Sequence, residues 1–228
     1  MGYWYLEMPL TGRTKTFNWF CDDTWRFAGF SSRACRHFSV CSTPEPDYLE
    51  KYKQLGYNNI ILGTWHANSE FYKVKKFEQK NIDLSFIGNI TPNRKAFFGE
   101  VSVPIENIFG VSNEELFDAH TRSKIGINLS TNDNDPQRKT QMKQRMFEIP
   151  AGSGLLLTEH HDAIKDFFEI DKEIVTFKTI DEFNKKCDFL LKNPKIVKKI
   201  ADNGYKRFIK DHDSKVRLRE VLKEIEKC

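Results

Sequence analysis

No two cysteines in this sequence have the C-x-x-C spacing of a zinc or redox motif, and the five that occur (Cys21, Cys35, Cys41, Cys187 and Cys228) are odd in number. That excludes a fully paired disulfide scaffold, argues against structural zinc and points to a reducing compartment. Long apolar runs are missing too. Nothing approaches the ~18 residues of a membrane span, and the start does not follow the basic, apolar, small-residue order of a secretory leader. These absences lead to the expectation of a soluble, cytoplasmic chain.

What is present suits a folded protein. The 228 residues are 39% hydrophobic and 13% aromatic, enough for a real core in one large or two small domains. The net charge of +4 is unevenly placed: residues 192–228 carry 12 Lys and Arg against 6 Asp and Glu, leaving the remainder at −2. A basic helical tail can bind nucleic acid or anionic lipid. This one lacks interleaved aromatic and basic residues and reads as a solvated helix face, so no nucleic-acid partner is expected.

Strand and helix patterns alternate along the chain. Phe17 to Phe20 reads as a short strand ending at Cys21-Asp22-Asp23, Thr24 to His37 as a helix and Phe38 to Ser42 as a second strand. A helix from Pro46 to Leu55, closed by Gly56, leads to a third strand over Asn58 to Thr64. Such alternation predicts an α/β fold with a parallel sheet covered on both faces, and three strands alone make a narrow sheet with exposed edges. At the end of the first strand, Asp22 and Asp23 are candidates for a general base. An aspartate before a helical run also serves as an N-cap, which is the plainer reading. Ser69 to Asn81, with Lys73, Lys75, Lys76 and Lys80, reads as a linker.

The second part opens with a strand over Ile82 to Ile87. Gly88 follows it directly; a small residue there lets backbone approach a phosphate, which Arg94 at the next helix start can clamp. An ordinary strand-to-helix turn has the same pattern. Ser112 to Glu115 is an S-x-x-E capping box that opens a helix to about Thr121. From Lys124 the sequence reads strand (Ile125, Ile127, Leu129), polar loop (Ser130 to Arg138) and helix (Lys139 to Ile149), with Met142, Met146 and Ile149 on the buried face. Pro150, Gly152 and Gly154 stop that helix before an interior strand at Leu155, Leu156 and Leu157. Arg145 and Glu148 stand three residues apart in it, so a cation and a carboxylate can meet one polar ligand. An intrahelical salt bridge on a solvated face is the alternative. Downstream come a strand over Glu173 to Lys178, a helix burying Phe183, Cys187, Leu190 and Leu191, and two closing helices with packing faces only.

The order of asparagine-bearing strand, loop, R-x-F-E, A-x-x-G and L-L-L-T resembles the C-terminal domain of group 1 glycosyltransferases, in the branch similar to the spore maturation glycosyltransferase-like proteins. The matching residues are Lys124, Asn128, Arg145, Phe147, Glu148, Ala151, Gly154 and Thr158, then Glu173-Ile174-Val175 and the Ile200-Ala201-x-x-Gly204-Tyr205 helix. The resemblance implies two Rossmann-like parallel-sheet domains of the glycosyltransferase B type. The N-terminal one, 1–68, is incomplete beside its relatives, which carry a longer domain there; a linker spans 69–81, and a nucleotide-sugar-binding domain with closing helices spans 82–228. The implied reaction moves a sugar from a nucleotide diphosphate sugar to a hydroxyl of a carbohydrate or glycoconjugate acceptor, with no metal and no bound cofactor. Arg94 and Arg145 would meet the diphosphate beside Gly88 and Gly154, Asn128 and Glu148 would orient donor hydroxyls, and Asp22 and Asp23 match an aspartate pair of the similar proteins. Between Ala96 and Val111 the sequence departs from the pattern, since related chains have a longer helix and another strand there.

Other motifs point to plainer roles. Asp133-Asn134-Asp135 suggests a metal loop, but Pro136 follows where a glycine is required and Gln144 stands where the last carboxylate of a calcium loop belongs, so a solvated loop and no metal are expected. His160 and His161 are adjacent and point different ways, which does not favour a shared ion. His160 and His66 are weaker candidates for the donor. The sequence also fits a fragment, or a chain whose partner supplies the missing N-terminal strands. A rival reading is a catalytically inactive remnant that binds a sugar nucleotide or a partner without turnover.

Overall fold

In the computed structural model, which describes residues 15–63, 65–133, 135, 137 and 139–227, strands and helices alternate and form two all-parallel sheets. The start of the expected 1–68 unit and three positions of the expected 130–138 loop lie outside the described residues.

The first sheet pairs β1 (Phe17–Trp19), β2 (Val40–Thr43) and β3 (Ile60–Leu62) in the order β1-β2-β3. One helix was expected between β1 and β2. Instead α1 (Asp23–Arg26) passes into a π-helical stretch at Phe27–Ser31, then α2 (Ser32–Ala34) and a 3-10 turn, with Gly29 inside the wide turn. Helix α3 (Pro46–Gln54) starts on proline, whose missing N–H costs nothing at a first turn, and sends Tyr48 and Tyr52 inward. Tyr52 stacks on Phe20 at 5.9 Å in a core with Cys41 and Ile60.

The second sheet runs β5-β4-β6-β7-β8, from β4 (Ile82–Ile87), β5 (Glu106–Ile108), β6 (Ser123–Asn128), β7 (Leu155–Glu159) and β8 (Val175–Phe177). Leu155, Leu156 and Leu157 are fully buried, as a strand covered on both faces requires. The 96–111 stretch, expected to depart from the family pattern, supplies β5 as an edge strand. Helices α4 (Pro92–Gly99), α5 (Asn113–Arg122), α6 (Arg145–Ala151), α7 (Ile180–Lys192) and α8 (Pro194–Arg207) cover the sheet, and the Ser112–Glu115 capping box closes reciprocally at the start of α5. Two apolar layers form, one around Phe86, Ile127, Phe177 and Phe183, the other around Met146, Phe147, Leu156 and Phe168. Leu191, expected inside, is 38% exposed. Helix α9 (Ser214–Lys227) returns to the first sheet, where Val221, Trp19 and Leu62 line one groove.

The main departure lies at Lys139 to Gln144, expected as helix. Here the chain doubles back: Gln141 N donates to Ser130 O and Asn132 N to Lys139 O, each at 3.0 Å, and Thr131 bridges Thr140. Ties to the first half decide this. Met142 N donates to Glu45 Oε1 at 2.8 Å, and Met142 O accepts from Trp65 Nε1 at 3.1 Å. Such contacts outweigh the few tenths of a kcal/mol per residue that separate good helix formers. Nor is the preceding loop a solvated excursion, because Asn132 and Asp135 are buried and Asp133 accepts from Thr91 Oγ1 and Asn93 Nδ2. Among the described residues no helix is long and apolar enough to cross a membrane.

Candidate functional site

From β4 the chain steps outward to β5 and then returns to lay β6 on the other side of β4. At such a reversal the loops leave in opposite directions, and a crevice opens beyond the carboxyl ends of the strands. Ile87 ends β4 and Asn128 ends β6 at this crevice.

Arg145, the first residue of α6, fills its floor. Its Nε donates to Ile87 O at 2.7 Å and its Nη1 to Asn128 Oδ1 at 3.2 Å, while the guanidinium lies over the Phe86 ring at 4.6 Å. Gly88 is required beside it. Its φ is +155°, and a Cβ there would come within 2.5 Å of Arg145 Nη2, so any side chain would displace the arginine. Arg94 lies over the same ring at 5.4 Å; its Nη1 donates to Asn89 O, and its Nε is buried without a hydrogen-bond partner. Lys143 is the third cation. It feels Asp22 and Glu45 from the first half as well as Arg94 and Arg145.

Burial is the main cause that brings Arg145 down to about 10, Lys143 down to about 8, and Arg94 below its ordinary range; the Arg94 charge lowers Arg145 further. Among the described residues none of the three closes an ion pair. Carboxylates act on each from beyond ion-pair distance, Asp133 and Glu159 on Arg94, Asp22 and Glu45 on Lys143 and Glu148 on Arg145; desolvated like charges held this way cost free energy, which a bound polyanion relieves.

The other expected site residues sort by position. Asn128 is buried, and its amide is used within the chain: besides accepting from Arg145, its Nδ2 donates to Ser130 Oγ at 3.2 Å and Thr158 Oγ1 at 3.0 Å. It holds the arginine in place. Glu148 lies one turn deeper with 16% of its side chain exposed, Oε2 3.8 Å from His120 Nε2, and burial raises its carboxyl. No ion pair joins it to Arg145, so a solvated intrahelical bridge is not what this spacing makes. Gly154 is not brought to the others. It precedes β7 at the opposite end of the sheet, where a Cβ would sit 3.2 Å from Ser123 O, and its role there is close packing.

The aspartate pair divides. Asp23 is fully buried in the core of the first sheet, accepts from the Tyr52 hydroxyl at 2.9 Å, and has its carboxyl raised by burial. Asp22 faces the second half and accepts from Gln141 Nε2 at 3.2 Å, but makes no side-chain cap to α1, so the N-cap alternative is not realised. His66 bonds Ser214 Oγ at 2.7 Å, and His160 lies 3.2 Å from Asp162. No group of three or more His, Cys, Asp or Glu among the described residues is placed to hold a metal ion.

Sequence reasoning missed Lys143 and the pairing of His161 with Glu45, whose Nε2 and Oε2 are 3.1 Å apart. Lys143 stands at the turn that opens α6, where Gln144 is already in the αR region and Lys143 O accepts from Met146 N at 3.0 Å. The K-x-R order was the available signal. His161 and Glu45 stand far apart in the sequence, and nothing local links them.

A family model for glycosyl transferase-like proteins matches residues 70–223. The chain belongs to the glycosyl transferase-like family. The match upholds the group 1 glycosyltransferase resemblance, and it covers the whole second sheet with the crevice of this glycosyl transferase-like chain. No curated protein matches it. Among solved structures, Anabaena HepE, in complex with UDP and glucose, is 9% identical with a TM-score of 0.68, covering 95% of this chain and 72% of its own. Sucrose-phosphate synthase from Thermosynechococcus elongatus (8% identity, TM-score 0.60) covers 84% of this chain and 59% of its own. A glycosyltransferase from Rickettsia africae ESF-5 (9%, TM-score 0.59) covers 82% and 63%. At these identities the likeness is one of fold. The chain spans less than two thirds of the length of the last two structures.

Proposed function

We propose that the chain transfers a sugar from a nucleotide diphosphate sugar to a hydroxyl of a carbohydrate or glycoconjugate acceptor. The observation that carries this reading is the convergence of Arg94 and Arg145 over Phe86 at the crevice between β4 and β6, neither of them ion-paired among the described residues, with Lys143 within electrostatic reach of both. A diphosphate supplies the missing counter-charge. As the anomeric bond breaks, negative charge grows on the departing diphosphate, and cations already held in place favour that state over the ground state. In this reading the side chains neutralise the leaving group, and the transfer is metal-independent.

Each part then has a task. Arg145, braced by Asn128 and Ile87 O, presents its outer edge to the diphosphate; Gly88 keeps the approach open, and Arg94 closes from α4. Glu148 accepts from donor hydroxyls. Asp22, which faces the second half, is the better placed of the two aspartates to orient an acceptor. The R-x-F-E and L-L-L-T order supports a place in the spore maturation glycosyltransferase-like branch.

HepE has also been solved with UDP-glucose, which makes UDP the first nucleotide to try. Calorimetric titration with UDP is expected to show submillimolar binding, weakened ~10- to 100-fold by Arg145→Ala, as for loss of a charge-assisted bond. Absence of binding by the wild-type chain at millimolar UDP would reject the reading. Release of UDP from UDP-glucose, lost in the same variant, would reject the rival of a remnant without turnover.

A further inference from the structure

The amino end of α4, beside the donor crevice, already meets a carboxylate. Asp133, in the turn after β6, accepts from the hydroxyl of Thr91, the cap of α4, and from Asn93 Nδ2 at 2.9 Å in the first turn of that helix. Thr91 Oγ1 itself accepts from Arg94 N at 3.4 Å, so one hydroxyl joins the helix end to the carboxylate. Asp133 also reaches Arg94 by charge. Burial lowers that guanidinium, and of the two carboxylates that oppose the lowering Asp133 acts more strongly than Glu159. A helix N-terminus favours negative charge through its free N–H groups and its dipole, and it favours a phosphate for the same reason. One helix end and one arginine therefore attract both groups.

The two carboxylates near Arg94 differ in what holds them. Glu159 is fixed by Thr131, whose N and Oγ1 each donate to it at 2.7 Å. Asp133 is half-buried, its bonds to α4 come from side chains, and one of those, Asn93, is exposed. The residue before it is anchored through backbone and side chain: Asn132 N donates to Lys139 O at 3.0 Å and Asn132 Nδ2 to Gln141 Oε1 at 2.8 Å. With the backbone held there, a change of χ1 rotamer is enough to take the Asp133 carboxylate off Thr91 and Asn93. No loop has to move.

We propose that Asp133 is an internal competitor of the donor: its carboxylate takes the phosphate position at the amino end of α4, and a nucleoside diphosphate binds by turning it away and taking over Thr91, Asn93 and Arg94. The inference rests on the donor reading above. Two negative groups at one helix end repel each other, so carboxylate and diphosphate exclude one another there. A ligand without phosphate gains nothing by displacing Asp133, whereas a diphosphate replaces each bond that the carboxylate gives up. The competition also acts on the product. As the nucleoside diphosphate departs, Asp133 returns to Thr91 and Asn93, and the cations hold the product less tightly than they would alone.

The test is calorimetric titration of the full chain with UDP in EDTA, so that no divalent cation bridges the carboxylate and the diphosphate. Asp133→Asn keeps the size of the side chain and an oxygen for Thr91 but loses the charge, and should tighten UDP about tenfold, the scale of a hydrogen bond to a charged group. Asp133→Ala, which removes the competing group outright, should tighten it as well. Uridine, measured by competition against UDP, should bind both variants within about twofold of wild type, since no phosphate meets the changed side chain. Without UDP the thermal midpoint should not rise in either variant, because α4 loses a favourable charge at its amino end; tighter binding is then not the result of a firmer fold. UDP affinity in the two variants that is unchanged or weaker than in wild type, or an equal gain for uridine, would overturn this inference alone. No UDP binding by wild type would overturn the donor reading and this inference with it.

Discussion

Each end of the five-stranded sheet holds a lysine that burial lowers to about 8, yet the two are held differently. At the amino ends of the strands, the ammonium of Lys80 donates to Thr121 O at 2.7 Å and Gly152 O at 2.8 Å. Those carbonyls terminate α5 and α6, where the helix dipoles put partial negative charge. At the carboxyl ends, Lys143 has two arginines for neighbours and closes no ion pair among the described residues. One cation is satisfied by the fold and ties the 69–81 segment to two helix ends. In the proposed function the other meets the diphosphate. A perturbed pKa does not separate these roles; the identity of the partner does.

That contrast can be broken by substitution. Lys80→Met leaves two buried carbonyls unmatched, at about 1–3 kcal/mol each, and should lower the thermal midpoint by ~5–10 °C while changing UDP affinity less than twofold. Lys143→Met should do the reverse, weakening UDP with the midpoint unchanged or raised. If Lys80→Met weakens UDP as much as Lys143→Met does, the two ends are not functionally distinct. Gly88→Ala places its methyl on Arg145, whose Nη2 a Cβ would approach to 2.5 Å, and should weaken UDP about tenfold by calorimetry.

A pH titration sharpens the same comparison. The folded chain releases the Lys143 proton near 8, below the ~10.4 of an unfolded lysine, because burial disfavours the charged form. A bound diphosphate favours the charged form. UDP affinity should therefore be greatest below pH 8 and fall as pH rises through it, whereas in Lys143→Met it should be flat from pH 7 to 9. The smallest effect is expected at Asp23. An amide oxygen can still accept from Tyr52, and a carboxyl already raised by burial loses little on becoming neutral, so Asp23→Asn should change stability by less than ~1 kcal/mol and leave UDP release intact. Loss of UDP release there, with none in Asp22→Asn, would reverse the roles assigned to the pair.

Much of this architecture was legible in the residues. Alternating strand and helix patterns, the apolar Leu155 to Leu157 run and the S-x-x-E box all specify local structure through periodicity and backbone satisfaction, and each appears where it was read. Gly88, Arg94, Asn128 and Arg145 were also expected at one end of the sheet, because a residue that follows a parallel strand must lie at its carboxyl end. The same rule read more strictly would have put Gly154, which precedes a strand, at the other end. Lys139 to Gln144 was misread because its composition favours helix and its actual partners, Glu45 and Trp65, are distant in the sequence. Lys143 and the pairing of His161 with Glu45 were missed for the same reason.

By itself the sequence determined the parallel class of both sheets, the positions of most turns and caps, and which residues stand at strand ends, since all of these follow from contacts within a few residues. Only the tertiary structure decided how the two halves meet. Packing across that boundary doubled the segment before α6 back on itself, brought Lys143 within electrostatic reach of Arg145, buried Asp23 while leaving Asp22 at the boundary, and brought His161 to Glu45. Hydrogen bonds and desolvation between groups far apart in the chain have no local signature, so no pattern of neighbouring residues could have announced them.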